Sequence, residues 1–148
     1  MEGFELMERL RANVDARIEL FATDDYWCVP QTERPVMVVI NTGFRSGDGE
    51  HYVSFYVHSN SSVTYFDSFG FPPFTCLREF WKKHGLSPVR WSSRLLQSPL
   101  SPHCAHYQIV FGTLIDLGVP FKTFLSMFSD DVQTNDKAVL GFTDFLNK

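Results

Sequence analysis

Several things are scarce in this sequence, and each scarcity removes a class of protein. No apolar run approaches the roughly 20 residues of a membrane-spanning helix; the longest, PVMVVI from Pro35 to Ile40, falls far short. The three cysteines, Cys28, Cys76 and Cys104, are odd in number and unpaired in spacing. A disulfide framework is therefore not expected, and reduced thiols in an intracellular setting are. Charged residues are only 20%, with a net charge of −4, which argues against the basic stripe of a nucleic-acid binder. Arg78, Lys82 and Lys83 make the one modest basic cluster and read as a solvated helix face. The opening MEGFELMERLRANV is charged throughout, unlike a secretory signal. Without repeats, low-complexity tracts or a linker, residues 1–148 are expected to form one domain.

What is abundant is hydrophobic and aromatic: 44% of residues are hydrophobic and 15 are phenylalanine, enough for a substantial core. Phe4, Met7, Leu10, Val14, Ile18 and Phe21 recur every three or four residues and predict one long amphipathic helix. Asp24, Asp25 and Pro30 predict a turn after it. VMVVIN (Val36 to Asn41) predicts a buried strand, followed by the loop TGFRSGDGE. Tyr52 to Val57 and Ser62 to Phe66 predict an antiparallel hairpin around the polar HSNSS. FTCLREFWKKHG predicts a helix stopped at Gly85, VRWSSRLLQ another strand, and Ala105 to Leu117 a buried helix. A short helix should start near Pro120, and Asn135 is placed to cap a final one. Strands in the middle with helices at both ends describe an α+β domain.

Cys104 stands where the Pro- and Ser-rich LLQSPLSPH meets the buried helix. There it would lie beside unpaired backbone N–H groups and the positive end of the helix dipole, which favour the thiolate that attacks carbonyls. Pro102 suits the first helical turn. A nucleophilic cysteine needs a base and a group to orient that base. His51 precedes the first hairpin strand and Asp67 follows the second. Setting them opposite each other centres the turn on residue 59, while the polar loop His58 to Ser62 centres on residue 60. Imidazole and carboxylate would then sit together at the open end of the hairpin. Gln97 could donate its amide N–H to an oxyanion together with the Cys104 backbone.

The bland readings are an inert buried thiol, a solvated histidine, a turn-forming aspartate and a surface amide. Metal binding is the competing chemistry, because HCAH gathers His103, Cys104 and His106. The paired spacing of a four-ligand zinc site is missing, so no metal is expected. His103 or His106 could also serve as the base, though neither has an acidic partner nearby in sequence.

GEHYVSFYV, YFDSFGFPP, LLQSP and HCAHY, in that order, resemble the adenovirus-type cysteine proteases, the adenain family. The resemblance is nearest to the proteases of Polinton/Maverick elements and adintovirus-like viruses. PVMVVINT and FSDDVQTNDKAVLGF extend it over nearly the whole chain. It implies a thiol endopeptidase with Cys104 as nucleophile, His51 as general base, Asp67 orienting it and Gln97 in the oxyanion hole. The implied fold is papain-like or SUMO-protease-like, a central mixed sheet packed against the nucleophile's helix. Two positions depart from the family: Tyr52 stands where Trp usually follows the histidine, and Ala105 where Gly usually follows the cysteine. Tyr52 is expected to wall a narrow cleft suited to cleavage after small residues.

The resemblance further implies viral capsid or core precursors as substrates, particle maturation as the setting, and the host nucleus and virion as the location. A monomer without cofactor is expected. Family members are assisted by DNA and by a capsid-derived peptide; the acidic balance argues against the DNA and leaves the peptide open. Cys28 and Cys76 fit no motif and read as small buried hydrophobes. Two alternatives remain, a modifier isopeptidase and an inactive protease-fold binding domain.

Overall fold

The computed structural model describes residues 1–22, 34–42 and 51–147. The turn expected around Asp24, Asp25 and Pro30, Cys28, and nearly all of TGFRSGDGE lie outside the described residues. Helix α1 (Gly3–Asn13) is followed by strand β1 (Arg17–Ala22), β2 (Val36–Asn41), β3 (Tyr52–Val57) and β4 (Val63–Phe66). Then come α2 (Thr75–Lys83), β5 (Val89–Arg90), α3 (Cys104–Asp116), α4 (Phe121–Ser126) and α5 (Val132–Leu146). The five strands form one mixed sheet in sequential order, with β1 parallel to β2, β4 parallel to β5, and antiparallel pairs between. The fold is α+β, a central sheet packed against helices.

Both faces of the sheet are covered. Val36, Val38 and Ile40 of β2, with Val53, Phe55 and Val57 of β3, meet Leu77, Phe80 and Trp81 of α2. Met37, Val39, Tyr52, Tyr56 and Phe66 point to the other face, beneath α1, α3 and α4. Covering on both sides explains why β2 and β3 read as nearly continuous apolar runs. Helix α3 is buried almost all round, as expected for a helix inside a core. Phe111 of α3 stacks on Phe66 with ring centroids 5.0 Å apart, and Phe124 meets both edge-on. At Gly112 a Cβ would stand 2.6 Å from Met37 Sδ, so any larger residue there would make the Met37 side chain move where α3 meets β2.

Several boundaries differ from expectation. The first helix ends at Asn13, and Ile18 and Phe21 belong to β1. The cause is distant in sequence: Asp116, at the end of α3, accepts from the N–H groups of Asp15 (2.7 Å) and Ala16 (3.3 Å). Those bonds satisfy the chain as it leaves the helix, and a local periodicity cannot register them. Phe4, expected on the apolar face, is 75% exposed. The strand expected over Val89 to Gln97 shortens to Val89–Arg90, because Leu96 and Gln97 turn their N–H groups to the Ser68 carbonyl. Asp131, not Asn135, caps α5, accepting from the Gln133 N–H at 3.1 Å. Cys76 is exposed rather than buried.

Asp116 also accepts from the Tyr56 hydroxyl at 2.8 Å, so one carboxylate ties α1's exit to β3. Asp116→Ala should cost about 1–3 kcal/mol, the penalty for leaving such donors unpaired. Urea denaturation measures it; a change under about 0.5 kcal/mol, the range of ordinary surface substitutions, would show that water replaces the carboxylate.

Candidate active site

The open end of the β3–β4 hairpin is closed by a turn that the sequence specifies residue by residue. Asp67 Oδ1 accepts from the Phe69 N–H at 2.8 Å, and the Gly70 N–H bonds the Asp67 carbonyl at 2.9 Å. Gly70 has φ 79°, and a Cβ there would strike the Ser93 and Arg94 carbonyl oxygens at 2.6 Å. Glycine therefore lets the turn press against the segment leading to Gln97. Across the hairpin, the Thr42 N–H bonds the His51 carbonyl at 2.8 Å, extending the β2–β3 ladder to the histidine.

His51 and Asp67 do meet: His51 Nε2 lies 3.0 Å from Asp67 Oδ1. The register differs from the one that sets them face to face. Val57 pairs with Val63 and Ser54 with Phe66, so the hairpin centres on residue 60 and His51 looks across to position 69. The His51 ring stacks on Phe69 accordingly, centroids 4.7 Å apart. Asp67 is reached as the diagonal neighbour, which side chains of this length can bridge.

Cys104 opens α3, with His103 as N-cap, and is 5% exposed. Pro102 lies before the helix rather than in its first turn. With Nε2 engaged by Asp67, Nδ1 is the His51 nitrogen left for the thiol. It is buried and has no partner in strict hydrogen-bonding geometry, yet Cys104 acts on the ring both as hydrogen-bond partner and as charge. Burial alone would lower the His51 pKa. Bonding to Asp67 and Cys104, with the charges of both, outweighs it and raises the pKa from 6.5 to about 9.

Gln97 is fully buried, not a surface amide. Its Oε1 accepts from Ser68 Oγ at 2.6 Å and its Nε2 donates to the Ser101 carbonyl at 2.8 Å. A primary amide carries two N–H donors, so one is not used by Ser101. Helix α5 steadies the backbone beside it. Asn135 Nδ2 donates to the Leu96 carbonyl at 3.1 Å, and Asp136 Oδ1 accepts from Tyr107 Oη at 2.7 Å and from the Ser98 N–H at 3.4 Å. Tyr52 does not wall a cleft; it is 1% exposed and lies in the core. His103 and His106 rest edge to face at 5.4 Å. Burial, then the His103 and Arg9 charges, lowers His106 to about 4. No group of three potential metal ligands occurs among the described residues.

One residue escaped the sequence reading. Gln108, one helical turn after Cys104, is fully buried and donates through Nε2 to the Tyr52 carbonyl at 3.0 Å, with the Phe66 carbonyl at 3.5 Å. Those carbonyls belong to the immediate neighbours of His51 and Asp67. The signal was a lone amide inside an otherwise apolar helix.

No protein-family model matches the sequence, and no curated protein matches it. Among solved structures, the chain is similar to the selenomethionine form of the ASFV pS273R protease, with a TM-score of 0.51 and 24% identity. The match covers 68% of this chain and 40% of that one. At this identity the likeness is one of fold: the chain shares the architecture of a protease and spans well under two thirds of its length.

Two measurements follow from the geometry. A histidine held above its ordinary 6.5 binds its proton more tightly when folded, so its contribution is full below pH 6.5 and is lost as pH rises through about 9. The stability gap between wild type and His51→Ala in urea should shrink over that window; a gap independent of pH would contradict it. Gln108→Leu should cost about 1–3 kcal/mol and slow Cys104 alkylation while circular dichroism stays native. Unchanged alkylation would mean that α3 is positioned without it.

Proposed function

We propose that the chain is a thiol endopeptidase in which Cys104 attacks the scissile carbonyl and His51 moves the proton. The reading rests above all on His51, joined at 3.0 Å to Asp67 and held protonated to about pH 9 by Asp67 and Cys104 together. In the resting pair the Cys104 proton already sits on His51, leaving a thiolate beside an imidazolium that Asp67 stabilises. The thiolate adds to the carbonyl, and the oxyanion is met by backbone N–H groups at the start of α3 and by the spare Gln97 N–H. His51 then protonates the leaving amine as the C–N bond breaks. Water, deprotonated by His51, hydrolyses the thioester and restores the thiol.

The resemblance of the sequence to adenovirus-type proteases supports a narrower reading. Its substrates would be viral capsid or core precursors, cut after small residues such as Gly during particle maturation, in the nucleus and the virion. Core burial of Tyr52 removes the aromatic roof as the reason for small residues, so that preference now rests on the resemblance alone.

Iodoacetamide labelling of Cys104 against pH tests the pair. In wild type, labelling should persist well below pH about 8.5, where an ordinary thiol is protonated. In His51→Ala it should follow an ordinary thiol, and identical profiles would defeat the reading. Peptide-library cleavage, followed by sequencing of the products, tests the reaction. It should fall by roughly 10³-fold or more in Cys104→Ala and His51→Ala, and decline in wild type above pH about 9 as His51 loses its proton. Cleavage that survives Cys104→Ala would place the chemistry elsewhere.

A further inference from the structure

A cavity of about 380 Å³ lies between α2 and β5, on the side of the sheet away from α3. Trp81, Leu86, Val89 and Trp91 form its apolar wall, and Arg78 and Lys82 stand over it. As the sequence suggested, Arg78 and Lys82 are exposed; Arg78 also holds its guanidinium carbon 6.0 Å from the Trp91 ring centre, within cation–π range. Among the described residues, neither Arg78 nor Lys82 makes an ion pair, and no acidic residue lines the cavity. Trp91 remains 40% exposed, whereas Trp81 is 1% exposed. In a protein of net charge −4, two cations without an ionic partner beside the exposed Trp91 ring suit a ligand with the complementary pattern.

We propose that this cavity binds a peptide segment in which a large apolar side chain is followed by carboxylates. The apolar side chain fills the space between Trp81 and Trp91, as an anchor side chain does at an interface. The carboxylate takes the Arg78 guanidinium by its two donors and Lys82 as a point charge. Such a site stands apart from the peptidase reading and does not depend on it, because its readout is binding.

The Cys104→Ala protein, which cannot turn a peptide over through that thiol, is titrated with acetyl-Gly-Leu-Phe-Asp-Glu-amide by calorimetry and tryptophan fluorescence. A neutral counterpart carrying Asn-Gln at the last two positions serves as comparison. The acidic peptide should bind, and the neutral one should bind about tenfold more weakly, as should the acidic one to Arg78→Gln or Lys82→Gln. Both replaced side chains are exposed, so thermal unfolding should not change. Trp91→Phe should remove most of the fluorescence response while leaving some heat of binding. No binding, equal binding of both peptides, or binding unaffected by Arg78→Gln would overturn the proposal. So would self-association in sedimentation that Arg78→Gln abolishes, since a second copy would then fill the cavity.

Discussion

A sheet covered on both faces has only its ends and edges to offer chemistry. That constraint organises the molecule: α2 closes one face, while α1, α3 and α4 close the other. The nucleophile candidate is carried by the most buried helix, and its position follows from how that helix is fastened. Phe66, Phe111 and Phe124 set its depth. Gly112 leaves room for the Met37 side chain against it, and Gln108 pins its first turns to the backbone of the hairpin. Cys104 and His51 therefore sit on separate elements whose relative place is fixed by packing and by one buried amide.

The hairpin shows how a site tolerates a register other than the one it was assigned. With the turn centred on residue 60, His51 faces Phe69 and reaches Asp67 on the diagonal. The aromatic ring holds the imidazole by one face while the carboxylate holds it at the edge. Asp67 serves the turn and the histidine with the same oxygen. A carboxylate so used cannot swing away from His51 without also opening the turn.

Patterns of two and of three to four residues located β2, β3, β4, α2 and α3, because in those segments the local period and the burial agree. The proximity of His51 to Asp67 was legible for the same reason: both flank a hairpin of readable length. The first helix was overextended because Ile18 and Phe21 keep helical spacing by chance, whereas the bonds that end the helix come from Asp116. Asn135 looked like a cap because its type favours caps. Its actual partners, Ser129 and the Leu96 carbonyl, include one far away in sequence. The partners of Gln108 and the burial of Tyr52 were invisible for the converse reason, since one sequence gives no sign of which carbonyl or helix a residue will meet.

The bonds from Asn135 and Asp136 to the segment around Gln97 have a consequence for the order in which the molecule is made. His51, Asp67, Gln97 and Cys104 all leave the ribosome before α5 does. Until α5 emerges, the Leu96 carbonyl, the Ser98 N–H and Tyr107 lack these partners, and the segment around Gln97 has no brace on that side. A nascent chain thus holds all four candidate residues while the support beside Gln97 is still unmade, and that support is complete only once synthesis has passed α5.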